Sequence, residues 1–170
     1  MSNVQRRPPR SFELAYETCE WTPGSSARLT LTLYEGYALQ SVRIPDARPH
    51  PTKLVQSAAM AAVAPPRPSY RPYLPPRLLS AGILSDAQLE SVIYAGEAHA
   101  GHLAGSYTVD ETYDVVSAAP EDAPNGVRFR RGWFLGDGTG AGKGRQVAAI
   151  ILDNWLRPAP AKEPVKDSQI

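Results

Sequence analysis

The sequence predicts an α/β chain, α+β overall: a small N-terminal antiparallel β unit with a helix, a proline-rich strap, then a strand, a glycine loop and a helix. Three observations predict it. Apolar residues alternate at Phe12, Leu14 and Tyr16 and again at Leu29, Leu31 and Leu33, the period of half-buried strands. Six prolines fall within residues 65–76. Four glycines, at positions 136, 138, 140 and 142, stand between an apolar run and an amphipathic one.

Each element follows in order. Residues 1–10, with Arg6, Arg7, Arg10, Pro8 and Pro9, hold too little apolar surface to order themselves and form an arm. Residues 11–64 form the small β/α unit, with turn signals at Pro23-Gly24 and Gly36 and a further apolar position at Leu39. Pro45, Pro49 and Pro51 close its strands, and Thr52 caps a short helix through Leu54, Val55, Ala58, Ala59 and Ala62. Residues 65–77 are the proline-rich linker or strap, held in polyproline II by fixed φ and missing donors.

The next helix has the clearest start. Ser85 and Gln88 fit a capping box, and Leu84 and Leu89 sit where a hydrophobic staple packs. Its stripe continues through Val92, Ile93 and Ala95 toward His99 and His102. Residues 107–125 carry five acidic groups and two prolines before an Asn125-Gly126 turn signal, and read mostly as loop. Residues 127–135 read as a strand, and residues 142–156 as a helix with Val147, Ile150, Ile151 and Trp155 on one side. The tail from 157 to 170, with three prolines, is expected to be disordered.

Composition limits the function. Eighteen basic residues against seventeen acidic ones give no general attraction for nucleic acid or an anionic membrane, so phosphate recognition has to be local. One cysteine, Cys19, excludes an internal disulfide and a thiolate-rich metal site. Nowhere do eighteen apolar residues run together, so no membrane span is expected and the cytoplasm is the default compartment.

The chemistry gathers at Gly136, Asp137, Gly138, Thr139, Gly140, Ala141, Gly142, Lys143, Gly144 and Arg145. Polyphosphate needs several backbone N–H groups converging on it, which requires glycines that tolerate positive φ and leave no side chain in the way. The following helix aims its N-terminal dipole at the same anion, and Lys143 adds a full charge. Two positions depart from G-x-x-x-x-G-K-[ST]. Asp137 holds the first glycine's place, and Gly144 holds the place of the hydroxyl that ordinarily ligates Mg²⁺. Metal must then be held through water, through Thr139 or through residues outside this chain. No catalytic residue and no protein metal ligand is assigned.

Here the string FLGDGTGAGKGRQVAAIILDNWL resembles the first helicase motif of the strawberry notch family, with Gly144-Arg145 after the lysine. LSDAQLESVIYAGEAHAGHL and HPTKLVQSAAMAAVAPPRPSYRP resemble it too. The resemblance implies a superfamily 2 helicase-like ATPase whose RecA-like P-loop domain starts near residue 78, so that residues 78–156 are its truncated beginning. It implies ATP and Mg²⁺ as cofactors. Nucleic acid is the target in a full-length relative, and further helicase domains or a protein partner complete the unit. By the same resemblance Gln88 is a candidate adenine reader; its other reading is local, as the third residue of the capping box. Alone, the chain is expected to bind nucleotide weakly and not to hydrolyse it. The runner-up is a non-catalytic interaction module with a remnant P-loop.

Lesser signals carry bland readings beside sharper ones. His99 and His102 with Glu97 have a spacing that permits metal ligands, but a polar helix end explains them as well. Arg128, Arg130 and Arg131 suit a nucleic-acid backbone or the solvated face of a strand. Residues 72–77 fit P-x-x-P-x-R, a ligand pattern for aromatic grooves. Finally, without neighbouring strands, residues 133–135 and the Val147, Ile150, Ile151 and Trp155 face lack cover, so this βα unit is expected to be loosely held or covered by the β unit or a partner.

Overall fold

Strand pairing among the described residues is short, two to four residues a strand, and much of it joins segments far apart in sequence. The computed structural model describes residues 12–21 and 33–158; the arm, the Pro23-Gly24 turn, Leu29, Leu31 and the tail beyond residue 158 lie outside them. Four two-stranded antiparallel sheets are present among the described residues. Strand β1 (Phe12–Glu13) pairs with β6 (Tyr73–Leu74), and β2 (Glu17–Thr18) with β4 (Val42–Arg43). Strand β3 (Tyr34–Gly36) pairs with β5 (Val55–Ser57), and β7 (Ser106–Val109) with β8 (Val116–Ala119). The period-2 reading holds where it is described: Leu14 and Tyr16 are buried, and Glu13, Ala15 and Glu17 beside them are exposed.

Four helices join them: α1 (Ala58–Ala61), α2 (Arg77–Ser80), α3 (Asp86–Ala100) and α4 (Lys143–Leu156). Helix α3 begins as the sequence predicts. The Ser85 hydroxyl accepts from the Gln88 backbone, the Gln88 carboxamide accepts from the Ser85 backbone, and the staple residues Leu84 and Leu89 are buried. Its inner face, Leu89, Val92, Ile93 and Ala95, joins Leu14, Tyr16, Val42, Ile44, Leu74, Leu79, Leu84 and Ala149 in the buried apolar set.

Four expectations are corrected. Thr52 caps no helix; its neighbour His50 takes its backbone N–H, and residues 55–57 are drawn into β5 by pairing with β3. Ser57 is the cap instead, accepting from the Met60 N–H, and the helix is only four residues long. Much of residues 107–125, expected mostly as loop, belongs to the β7–β8 hairpin, whose two strands pair from Ser106 with Ala119 to Val109 with Val116. Residues 127–135, expected as a strand, make only isolated bridges, Tyr107 with Val127 and His102 with Arg130. A strand exists by virtue of a partner, and residues 131–138 have no ladder among the described residues.

The proline strap packs as part of the core rather than swinging free. The Leu14 N–H donates to the Pro72 carbonyl at 2.7 Å, and Pro72, Leu74 and Pro75 are buried. Both prolines of the P-x-x-P match are therefore inside the protein, out of reach of an aromatic groove. Tyr70 lies against α3 at Gly96, where an added Cβ would come within 1.9 Å of the ring. Its hydroxyl donates to Asp153 on α4 at 2.5 Å, and Tyr73 donates its backbone N–H to the same carboxylate at 2.7 Å. Burial and then that hydrogen bond push the Tyr70 phenol up to about 12. The strap is thus the tie between α3 and α4.

Helix α4 turns a different face inward than its apolar stripe suggests. Gln146, Ala149 and Asp153 are buried, whereas Val147 is 47%, Ile151 60% and Trp155 82% exposed. Phe134 is 89% exposed as well. The lack of cover expected for the α4 face holds at Val147, Ile151 and Trp155 among the described residues, while Ile150 packs in part against the core. No described helix is long and apolar enough to cross a membrane.

Candidate functional site

The loop between residues 136 and 142 delivers its chain to the N-terminus of α4, and its conformation is one that glycine permits. Gly140 (φ 93°) and Gly142 (φ 79°) lie in the left-handed region. At Gly142 a side chain is excluded twice over, since a Cβ would also lie 2.3 Å from the Gln88 amide nitrogen. At Gly138, Gly140 and Gly144 an added Cβ meets nothing within 4 Å, so the outer side of the loop is open.

What the open side presents is donors. Among the described residues, none of the backbone N–H groups of residues 138–144 donates to a protein acceptor. Buried orphan donors are costly, but these are largely exposed, and they stand at the positive end of a fourteen-residue helix. Lys143 folds back over them: its Nζ donates to the carbonyls of Asp137 at 2.6 Å and Gly138 at 3.0 Å. An ammonium has three protons, so one remains for a ligand oxygen. A run of free amides, an oriented helix end and a positioned cation suit a polyphosphate and little else.

The inner side is fastened by two carboxamides. Gln88 is 4% exposed; its Oε1 accepts from the Ser85 N–H at 3.0 Å and its Nε2 donates to the Ala141 carbonyl at 3.0 Å. Gln146, 2% exposed, directs its Nε2 to the Asp137 carboxylate at 2.7 Å and to the same Ala141 carbonyl at 3.3 Å. Both atoms of the Gln88 amide are therefore in use, one in the capping box and one on the loop. Beside its two sequence readings, Gln88 thus has a further part: it ties the start of α3 to the glycine loop.

The remaining residues named from sequence separate. Asp137 turns its carboxylate inward to Gln146, away from the open side, which keeps a like charge from the place a phosphate would take. Arg145 points back to the segment before α3, with Nη1 at 3.4 Å from the Ile83 carbonyl. Thr139 and Gly136 are exposed and Ala141 is buried. Away from the loop, His99 is half-buried near the end of α3, while His102 lies beyond that end and is exposed. The described residues contain no cluster of three or more His, Cys, Asp or Glu side chains suited to a metal. Arg128, Arg130 and Arg131 are all exposed.

Sequence reasoning missed Gln146, whose only signal was a polar residue three positions after Lys143, on the side of the helix that faces the loop. It also missed a cavity of about 440 Å³ that opens beside residues 135–137. Tyr37, Met60, Tyr94 and Trp133 supply its apolar wall, with Glu90, Gln40 and Gln56 as polar groups. Tyr94 and Trp133 are nearly parallel, with ring centroids 6.3 Å apart and planes at 11°. Glu90, 5% exposed, accepts a short hydrogen bond from the Tyr37 hydroxyl. Burial pushes its carboxyl up to about 7, against the lowering effect of that hydrogen bond, and the nearby Asp86 adds to the rise. Burial and the adjacent Glu90 drive the Tyr37 phenol well above its ordinary range, so the shared proton stays on the phenol.

Comparison with known proteins places the chain in a family. The family model described as P-loop containing NTP hydrolase pore-1 matches residues 49–161. The chain is 36% identical over 108 residues to a strawberry notch homologue of Caenorhabditis elegans, covering 64% of this chain and 5% of that protein. The protein FORGETTER 1 of Arabidopsis thaliana is 36% identical over 107 residues, 63% of this chain and 7% of its own length. Strawberry notch of Drosophila melanogaster is 36% identical over 108 residues, 64% of this chain and 5% of that protein. The chain thus spans 5–7% of the length of these relatives. No solved structure matches it.

Proposed function

We propose, on the premise that this chain belongs to the P-loop containing NTP hydrolase pore-1 family, that residues 136–145 bind the phosphates of ATP. The family and the strawberry notch relatives support the coarser statement, a nucleotide-binding, helicase-like region. What carries the finer one is the run of unengaged backbone donors at residues 138–144, with Lys143 folded over it. The inner hydrogen bonds of the loop are already made by Gln88 and Gln146, so a triphosphate would meet a loop already held in place. A preformed site loses little to ordering on binding.

The residues present fit the triphosphate better than they fit its metal. With Gly144 in place of a hydroxyl residue, Mg²⁺ would be held by the phosphates and water, with the Thr139 hydroxyl as the loop's own oxygen ligand. When bound, the ion neutralises phosphate charge. We assign the chain binding and no hydrolytic step. In the long relatives such binding would serve a helicase-like ATPase acting on nucleic acid, in a cytoplasmic setting.

Titration with a fluorescent ATP analogue tests the proposal. Binding is expected, and Lys143→Ala should weaken it by roughly tenfold to a hundredfold, the range of a charge-assisted contact. Binding that is absent, or unchanged by Lys143→Ala, removes it. The alternative, a protein-interaction module with an unused loop, is favoured by one observation: the exposed stripe Val147, Ile151 and Trp155 on α4.

A further inference from the structure

If the loop holds the phosphates, the base must lie somewhere within a sugar's reach of it. Gln88, the base reader suggested by the sequence, has its acceptor on Ser85 and its donor on Ala141, behind the loop. The cavity that opens at residues 135–137 is the other place, and it runs directly into the start of the loop. At about 440 Å³ it is within the size range of small-molecule sites.

Its wall has the chemistry of a base pocket. Tyr94 and Trp133 lie nearly parallel, and Trp133 is still 39% exposed, so a flat ring entering the cavity finds an aromatic face to lie on. Glu90 is the buried carboxylate of the wall. One of its oxygens takes the Tyr37 hydroxyl, and the other accepts no hydrogen bond among the described residues. That second oxygen is not closed off from solvent, so it stands open to a donor that enters the cavity. Gln40 gives its carbonyl oxygen to the Trp21 indole, which leaves its amide N–H groups for an acceptor. Acceptor and donor together match the edge of adenine, which offers an exocyclic amine beside a ring nitrogen.

We infer that this cavity takes the adenine of the nucleotide whose phosphates lie on the loop, with Glu90 accepting from the exocyclic amine and Trp133 stacking on the ring. The inference rests on the proposed phosphate site. With Glu90 ionised, as it is above about pH 7, bases that present a carbonyl oxygen at the same position would set lone pair against carboxylate and be rejected.

The test compares three ligands on the full chain by calorimetry: tripolyphosphate, ATP, and purine riboside triphosphate, which is ATP without its 6-amino group. ATP is expected to bind roughly tenfold to a hundredfold more tightly than purine riboside triphosphate, the worth of a hydrogen bond to a charged acceptor. Glu90→Leu should remove that preference and leave tripolyphosphate binding unchanged. Trp133→Ala, at a partly exposed position that does not endanger the fold, should weaken both nucleotides by at least several-fold and spare tripolyphosphate. A preference that survives Glu90→Leu, or nucleotide affinities that ignore Trp133→Ala, overturns the base pocket while leaving the phosphate site standing. Failure of tripolyphosphate itself to bind removes the phosphate site and the base pocket with it.

Discussion

Helices α3 and α4 cross the same core, yet they enter it by opposite means. Helix α3 buries what its periodicity marks as apolar, Leu89, Val92, Ile93 and Ala95. Helix α4 buries Gln146, Ala149 and Asp153 and leaves Val147, Ile151 and Trp155 to water. The difference is that α4 is anchored by hydrogen bonds at both ends. Gln146 fastens its first turn to the loop, and Asp153 accepts from Tyr70, Tyr73 and Arg157 near its last. Buried polar groups with matched partners can fix a helix's rotation as firmly as an apolar stripe, and here they choose the other face.

The largest expected effect separates the two means. Asp153→Ala would leave the Tyr73 N–H, the Tyr70 hydroxyl and part of the Arg157 charge without a partner in a nearly dry place. Removing one member of such a set costs about 3–5 kcal/mol. On α3, Leu89→Ala deletes a fully buried side chain and costs about 2–5 kcal/mol, by lost transfer and a cavity. Urea denaturation of both variants measures it. If Asp153→Ala costs less than about 1 kcal/mol, the polar anchor is not what holds α4, and the contrast between the helices fails.

The same contrast explains what was legible in the sequence. The capping box at Ser85 and Gln88 and the glycine loop before Lys143 were readable because each is set by residues within a few positions of one another. The α3 stripe was readable because its partners are apolar too. The bareness of the α4 stripe was readable from the missing neighbouring strands, but the polar face turned inward was not: periodicity ranks residues by apolarity, and nothing local announces that Tyr70 and Tyr73, some eighty residues earlier, will meet Asp153. The strand expected at residues 127–135 failed for the related reason that pairing is a property of two segments. At the candidate site, the glycine loop was visible and its fasteners were not. Gln146 acts across the loop, and Glu90 matters only because Tyr37 and Trp133 close a cavity around it.

A smaller effect sharpens the comparison, because α3 also buries a carboxylate, and that one is poorly supplied. Asp153 has three donors; among the described residues Glu90 has the Tyr37 hydroxyl alone, with Asp86 as an acidic neighbour, Tyr94 beside it, and Asp137 facing the Tyr37 end of the pair. Its carboxyl is raised from 4.5 to about 7. In the folded state it therefore holds a proton that the unfolded state gives up. Stability should fall as pH rises from about 4.5 to about 7 and level off above, by up to about 3 kcal/mol. Glu90→Gln, which cannot titrate, should flatten that slope. Urea midpoints measured across this window that fall equally in both proteins would show that another group is responsible.

The smallest expected effect tests the other half of the contrast, the claim that the apolar stripe of α4 stands in water. A side chain already exposed in the folded state gains little from folding, so shortening it changes both states alike. Ile151→Ser and Trp155→Ser should each shift stability by no more than about 0.5 kcal/mol, near the small difference in helix propensity. The same variants should lose self-association if the stripe meets a second copy, which sedimentation would show as a smaller species. A loss of about 2 kcal/mol in stability without a change in mass is incompatible with exposure: the stripe would then be packed inside the chain in solution. The apolar and polar faces of α4 would have exchanged places, and Gln146 could no longer reach the loop it fastens.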